Sequence, residues 1–189
     1  MPLTLFQKIF LLALLPLAGS CSTPLPTQRD FSETLKMFEE LRVQYQVPYS
    51  RMGFQSSPLF AFAKGKTLIV IDEAFSEGLS EPALRYVFVH ELVHLKFDDP
   101  RRGYNLLKQI HQANAQDTEL MNNAFMTLLG AYGQDPEFKA FLTEVESRAN
   151  EYAAQHLVER GENPCVAIAE IEKYTGARFR FGMEHLCKS

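Results

Sequence analysis

The stretch from Ser80 to Phe97 constrains this chain more than any other part of it. Ser80-Glu81-Pro82 is a helix-start signal: a hydroxyl cap, an acid in the first turn, and a proline where the missing N–H costs nothing. The residues that follow are apolar on nearly every side, with Arg85 and Lys96 close together on one polar edge, and Asp98-Asp99-Pro100 ends the run. A helix of that kind lies inside a domain rather than on its surface. Within it stands His90-Glu91-Leu92-Val93-His94. Four residues advance a helix by about 400°, so His90 and His94 project from one face and can share a single zinc ion. Glu91 lies beside that face, placed to take a proton from a metal-bound water, whose pKa zinc lowers toward about 7. Burying two imidazoles and a carboxylate without partners is costly, and a metal removes that cost.

The remainder of the chain is able to bury such a helix. Of its 189 residues 46% are hydrophobic, with 15 Phe and 7 Tyr, which rules out disorder over most of the length and suits one globular domain. Lys and Arg number 19 against 23 Asp and Glu, a net charge of −4. That lacks the basic excess needed to hold a phosphate backbone, so no nucleic acid is expected as a partner.

Residues 1–20 read as a signal peptide. A short n-region with Lys8 precedes an apolar run from Ile9 to Leu17, too short for a membrane-spanning helix of about 20 residues. Ala18-Gly19-Ser20 ahead of Cys21 resembles a bacterial lipobox, which predicts a lipid on Cys21 and a membrane anchor. Ser22, where an Asp would retain the protein at the inner membrane, leans the anchor toward the outer membrane, facing the periplasm. Plain cleavage after Ser20 is the alternative, and it gives a soluble periplasmic or secreted protein. Residues 21–30, with Pro24 and Pro26, read as a tether, leaving 31–189 as the domain. In an oxidising compartment the two remaining cysteines, Cys165 and Cys187, are expected to pair.

Within the domain, apolar residues at Phe31, Leu35, Phe38, Leu41 and Tyr45 predict a helix ended by Pro48. Pro58 to Ala63, the turn Lys64-Gly65-Lys66 and the β-branched run Thr67 to Ile71 predict a hairpin. One or two helices are expected over 101–135. A further helix starts at Asp135-Pro136-Glu137 and runs to Arg160, and a last one runs from Asn163-Pro164 through Tyr174 to Gly176. Ala177 to Phe181 reads as a short strand or an extended tail. The fold class is α+β, mostly helical with a small sheet.

A catalytic zinc needs a third protein ligand. A His six residues beyond His94 is missing, since position 100 is Pro, which leaves His111, His156, His185 or a carboxylate from a second helix. On the 136–160 helix the wheel puts His156 at the centre of the apolar stripe, as a core residue. It puts Glu151 about 70° beyond the stripe's edge, with Glu144, Arg148 and Gln155, and Glu146 on the opposite flank.

Ser147-Arg148-Ala149-Asn150-Glu151-Tyr152-Ala153-Ala154-Gln155, downstream of the HExxH run, resembles the second signature of the gluzincins of peptidase family forty-eight, Ser-Arg-x-x-Glu-x-x-Ala-Asp. It matches at Ser147, Arg148, Glu151 and Ala154. Ala61-Phe62-Ala63 is similar to that family's edge strand. The resemblance runs from about Phe60 to Tyr174 and implies a compact, zincin-like fold whose edge strand precedes the HExxH helix. It implies one Zn2+ per chain on His90, His94 and Glu151, Glu91 as general base, and hydrolysis of peptide bonds in proteins of the cell envelope. The strand Thr67–Ile71 would hold an extended substrate by strand addition. Gln155 stands where the family has an Asp that orients a zinc-bound imidazole, Phe60 where it has Asn, and Val93 where it has a small residue. Gln155 motivates an alternative, a zinc-holding module that binds envelope proteins or peptides without cutting them, and a cell-wall amide hydrolase is a third reading. For the oxyanion the sequence offers Arg148, Tyr152 and His185, although Arg148 is also placed to pair with Glu144.

Overall fold

A computed structural model describes residues 31–56, 60–111, 135–176 and 187. The signal peptide and tether, the 112–134 part of the segment expected to be helical, the 177–181 tail and His185 lie outside the described residues. In chain order the elements are α1 (Phe31–Gln44), β1 (Arg51–Phe54), β2 (Ala61–Lys64), β3 (Leu68–Ile71), α2 (Glu73–Gly78), α3 (Glu81–Lys96), α4 (Asp99–His111), α5 (Pro136–Glu159) and α6 (Pro164–Thr175).

The helix starts follow their sequence signals. Ser80 caps α3, accepting from Ala83 N, and is itself held by Glu170 of α6 through its N–H (2.5 Å) and its hydroxyl (2.6 Å). Asp135 caps α5, accepting from the N–H groups of Glu137 and Phe138 ahead of Pro136. Asn163 does the same for α6, which Gly176 ends with φ of +68°. Such caps satisfy amides that a helix's first turn leaves unpaired.

The apolar helix α3 is the spine of the domain. Residues 83–89 and 91–95 are buried, and α5, α6, β2 and α1 pack around them. Even Arg85, on the expected polar edge, is only 5% exposed and pairs with Glu81 and Glu162, whereas Lys96 is exposed. The core joins Phe38, Phe88, Leu84, Leu92, Leu157 and Ile168 across these elements. Ala149, Ala153 and Ala154 on α5 are fully buried, and their small side chains let α5 lie close against α3.

The sheet runs β1-β3-β2, with β1 parallel and β2 antiparallel to β3. The predicted hairpin is β2–β3, with Phe62 opposite Val70. Its second strand is central, however. Thr67–Ile71 has a neighbour on either side, so the expectation that it offers a free edge is corrected, and β2 is the edge strand next to α3. Asp98-Asp99-Pro100 also does more than end a helix. Only Phe97 and Asp98 separate α3 from α4: Asp98 turns the chain at φ of +56°, a conformation Asp tolerates, and Pro100 sits in the first turn of the new helix. The Cys165–Cys187 disulfide is formed, tying the start of α6 to the C-terminal segment.

Candidate metal centre

His90 and His94 lie one turn apart on α3, and their rings meet edge to face with centroids 4.7 Å apart. Each ring is fixed from behind. His90 Nδ1 donates to Asn150 Oδ1 at 2.9 Å, and the same oxygen accepts from the Tyr86 hydroxyl at 2.9 Å. His94 Nδ1 donates to Asp99 Oδ2 at 3.1 Å. With both Nδ1 atoms protonated, the Nε2 lone pairs point inward, 3.1 Å from each other.

A carboxylate completes the group, and it belongs to Glu146. Its oxygens lie 3.3 Å from His90 Nε2 and 3.6 Å from His94 Nε2. Among the described residues His90, His94 and Glu146 form a cluster able to hold a metal ion. The spacing fits zinc, whose bonds of about 2.0–2.1 Å to tetrahedral N and O donors put those donors about 3.3 Å apart. The charge fits as well, because two inward lone pairs and a carboxylate repel unless a cation lies between them. A proton answers this in part: burial lowers His90, but the bond and charge of Glu146, the charge of Glu91 and the bond to Asn150 together outweigh it and hold the imidazole at about 9. Burial pushes Glu146 up, but its bond to His90 and the charges of His90 and His94 together outweigh that and hold it below the ordinary carboxylate range.

Glu151, the ligand implied by the resemblance, is not brought to the histidines. Its side chain is exposed, five residues beyond Glu146 and about 140° further around α5. Glu146 lies on the other flank from Glu151, and that is the flank that meets the histidines. Residues 146, 149, 150, 153 and 157 form one stripe at spacings of three and four, and all but Glu146 are buried. Small residues mark where two helices come closest, so polar residues in line with Ala149 and Ala153 must face α3. That was the available signal, and it also finds Asn150. Gln155 does not back a histidine; it is exposed and bonds Glu159, and Asn150 and Asp99 do the orienting. Asp99 carried no signal, because its place depends on the turn at Asp98.

Glu91 is buried beside the cluster. Burial pushes its carboxyl above the usual range, the two imidazoles pull it back, and the backbone of Ala63 on the edge strand hydrogen-bonds it. Next to it opens a small cleft walled by Phe60, Phe75, Val87 and Ile171, with His90 and Glu91 at its polar end. Phe60, in place of the family's Asn, holds φ of +63°, a strained value for a bulky residue, and its ring packs on Phe75 and Tyr174. Of the residues offered for the oxyanion, Arg148 is engaged elsewhere, bonding Asp99 and, as the i, i+4 spacing suggests, Glu144. Tyr152 packs against Phe97. His156 is a core residue, 4% exposed beside Tyr45.

No curated protein and no solved structure matches the chain. The model of peptidase family M48 matches residues 26–174, which take in the sheet, both histidines, Glu91, Glu146 and nearly all of α6. With a His-His-Glu cluster able to hold a metal on the two packed helices and a family match over most of its length, the chain belongs to peptidase family M48, a family of zinc-dependent metallopeptidases.

Proposed function

We propose that this protein is a zinc-dependent endopeptidase that hydrolyses peptide bonds in proteins of the bacterial cell envelope. The observation that carries the reading is the placing of Glu91: a buried carboxylate with a raised pKa, between a His-His-Glu cluster, the free-edged strand β2 and an apolar cleft. Zinc, when bound, supplies Lewis acidity to polarise the scissile carbonyl and to make a water nucleophilic near neutral pH. His90, His94 and Glu146 would hold it. Glu91 takes a proton from the attacking water and passes it to the leaving amine. An extended substrate adds to the outer edge of β2, so its backbone passes Glu91, while the cleft receives an apolar side chain.

The envelope assignment is carried by residues 9–21, with lipid on Cys21 as the anchor to the outer membrane and the periplasm as the compartment. The disulfide accords with an oxidising compartment, and among the described residues no helix is long and apolar enough to cross a membrane. The test of mechanism is Glu91→Gln. It keeps one zinc per chain by mass spectrometry and loses cleavage of an unfolded protein substrate by about a hundredfold or more. Retained cleavage would refute the role of Glu91. A wild type that holds zinc and retains unfolded protein without cutting it would favour the non-proteolytic module.

A further inference from the structure

The two histidines are backed unequally. Behind His90 is a neutral amide, Asn150, shared with Tyr86. Behind His94 is Asp99, 4% exposed and delivered by the turn at Asp98. Asp99 is clamped on its other side: Arg148 Nη2 donates to its two oxygens at 2.6 and 2.7 Å, and Arg102 Nη1 donates to Oδ1 at 3.0 Å. Both arginines are steadied by Glu144, at 3.1 Å from Arg148 and 3.3 Å from Arg102. The Arg148 guanidinium also lies 4.4 Å from the Phe97 ring centroid.

An ion pair that merely fastened α4 to α5 would be complete without the imidazole. Here one oxygen of a buried carboxylate is aimed at His94 Nδ1 while two arginines compensate its charge. Hydrogen bonds to a charged acceptor are roughly twice as strong as neutral ones, and a carboxylate behind a metal-ligating imidazole fixes its tautomer and raises its basicity.

We propose that Asp99, clamped by Arg148, is the positioning residue of the metal centre: it holds His94 with its Nδ1 protonated and its Nε2 aimed at the metal. The α3–α4 turn is then part of the metal site, although none of its residues is a ligand. The proposal rests on the metal-binding reading above, and not on proteolysis.

The test is the zinc affinity of the full chain, measured by competition with a chromophoric chelator. The absorption spectrum of the cobalt(II)-loaded protein reports ligand geometry, and the melting midpoint of the metal-free protein serves as the fold control. Asp99→Asn keeps the shape and removes the charge. It should weaken zinc binding by about 10–100-fold and shift the cobalt spectrum. Arg148→Gln should weaken binding by a smaller factor, and should add nothing in the Asp99→Asn background if Arg148 acts through Asp99. An Asp99→Asn protein that folds and binds both metals as the wild type does would overturn the proposal, as would additive losses in the double variant. If Asp99→Asn does not fold, unchanged zinc affinity in Arg148→Gln overturns it. A wild type that takes up no metal would overturn the metal reading and this proposal together.

Discussion

At the scale of single residues, the difference between Glu146 and Glu151 is the most direct thing to measure. Glu146 faces two imidazoles, and Glu151 faces solvent. Glu146→Ala should therefore lose stoichiometric zinc, while Glu151→Ala should keep it and change stability by less than about 0.5 kcal/mol, as surface substitutions do. Zinc content by mass spectrometry separates the two, and the opposite pattern would return the ligand to Glu151. His156 offers a second test. It is buried, its Nε2 has no hydrogen-bond partner among the described residues, and its pKa is lowered by burial first and then by Arg85 and Arg160. The unfolded chain takes up that proton near pH 6.5 and the folded chain only at lower pH, so stability present above about 6.5 is lost as pH falls below it. Between pH 7.5 and 5.5 the melting midpoint of the wild type should fall further than that of His156→Phe. Equal falls would show that His156 does not contribute. Each of these residues is visible in the sequence, but only its surroundings give it a role, which is why a local signature points to Glu151 while the packing brings Glu146 to the histidines.

Among elements, the closeness of α3 and α5 decides whether there is a site at all. The Nε2 atoms come from one helix and the carboxylate from the other, and the buried alanines 149, 153 and 154 set the gap. Ala153→Leu overfills that gap. It should cost about 1–3 kcal/mol of stability and, by pushing Glu146 away from the histidines, should also weaken zinc binding. Thermal melts with and without zinc check both effects, and a destabilised variant with unchanged affinity would show that the helices separate without opening the site. The helices themselves were legible, because Ser80, Asp135-Pro136, Asn163-Pro164 and Gly176 mark their ends by local chemistry. The edge strand was less so. Hairpin signals state that β2 and β3 pair, but not that β1 arrives to cover the far side of β3.

For the whole molecule, Cys165–Cys187 closes a loop of 22 residues in sequence between α6 and the C-terminal segment. Closing such a loop is worth about 3 kcal/mol by chain entropy. Cys187→Ser should lower the melting midpoint by roughly 5–10 °C with zinc content unchanged, and a midpoint that does not move would mean the loop is held by packing alone. What the sequence determined unaided was whatever depends on neighbours along the chain: the two histidines on one face, the burial of their helix, the caps, the hairpin and, by family resemblance, the zinc chemistry. Tertiary structure alone decided which acid meets the histidines, which groups stand behind them and which strand is left with an open edge. Helical periodicity tells which residues share a face. Which face meets which partner, and at what register, depends on distances between segments far apart in sequence, here 52 residues from His94 to Glu146, and those are settled only when the core packs.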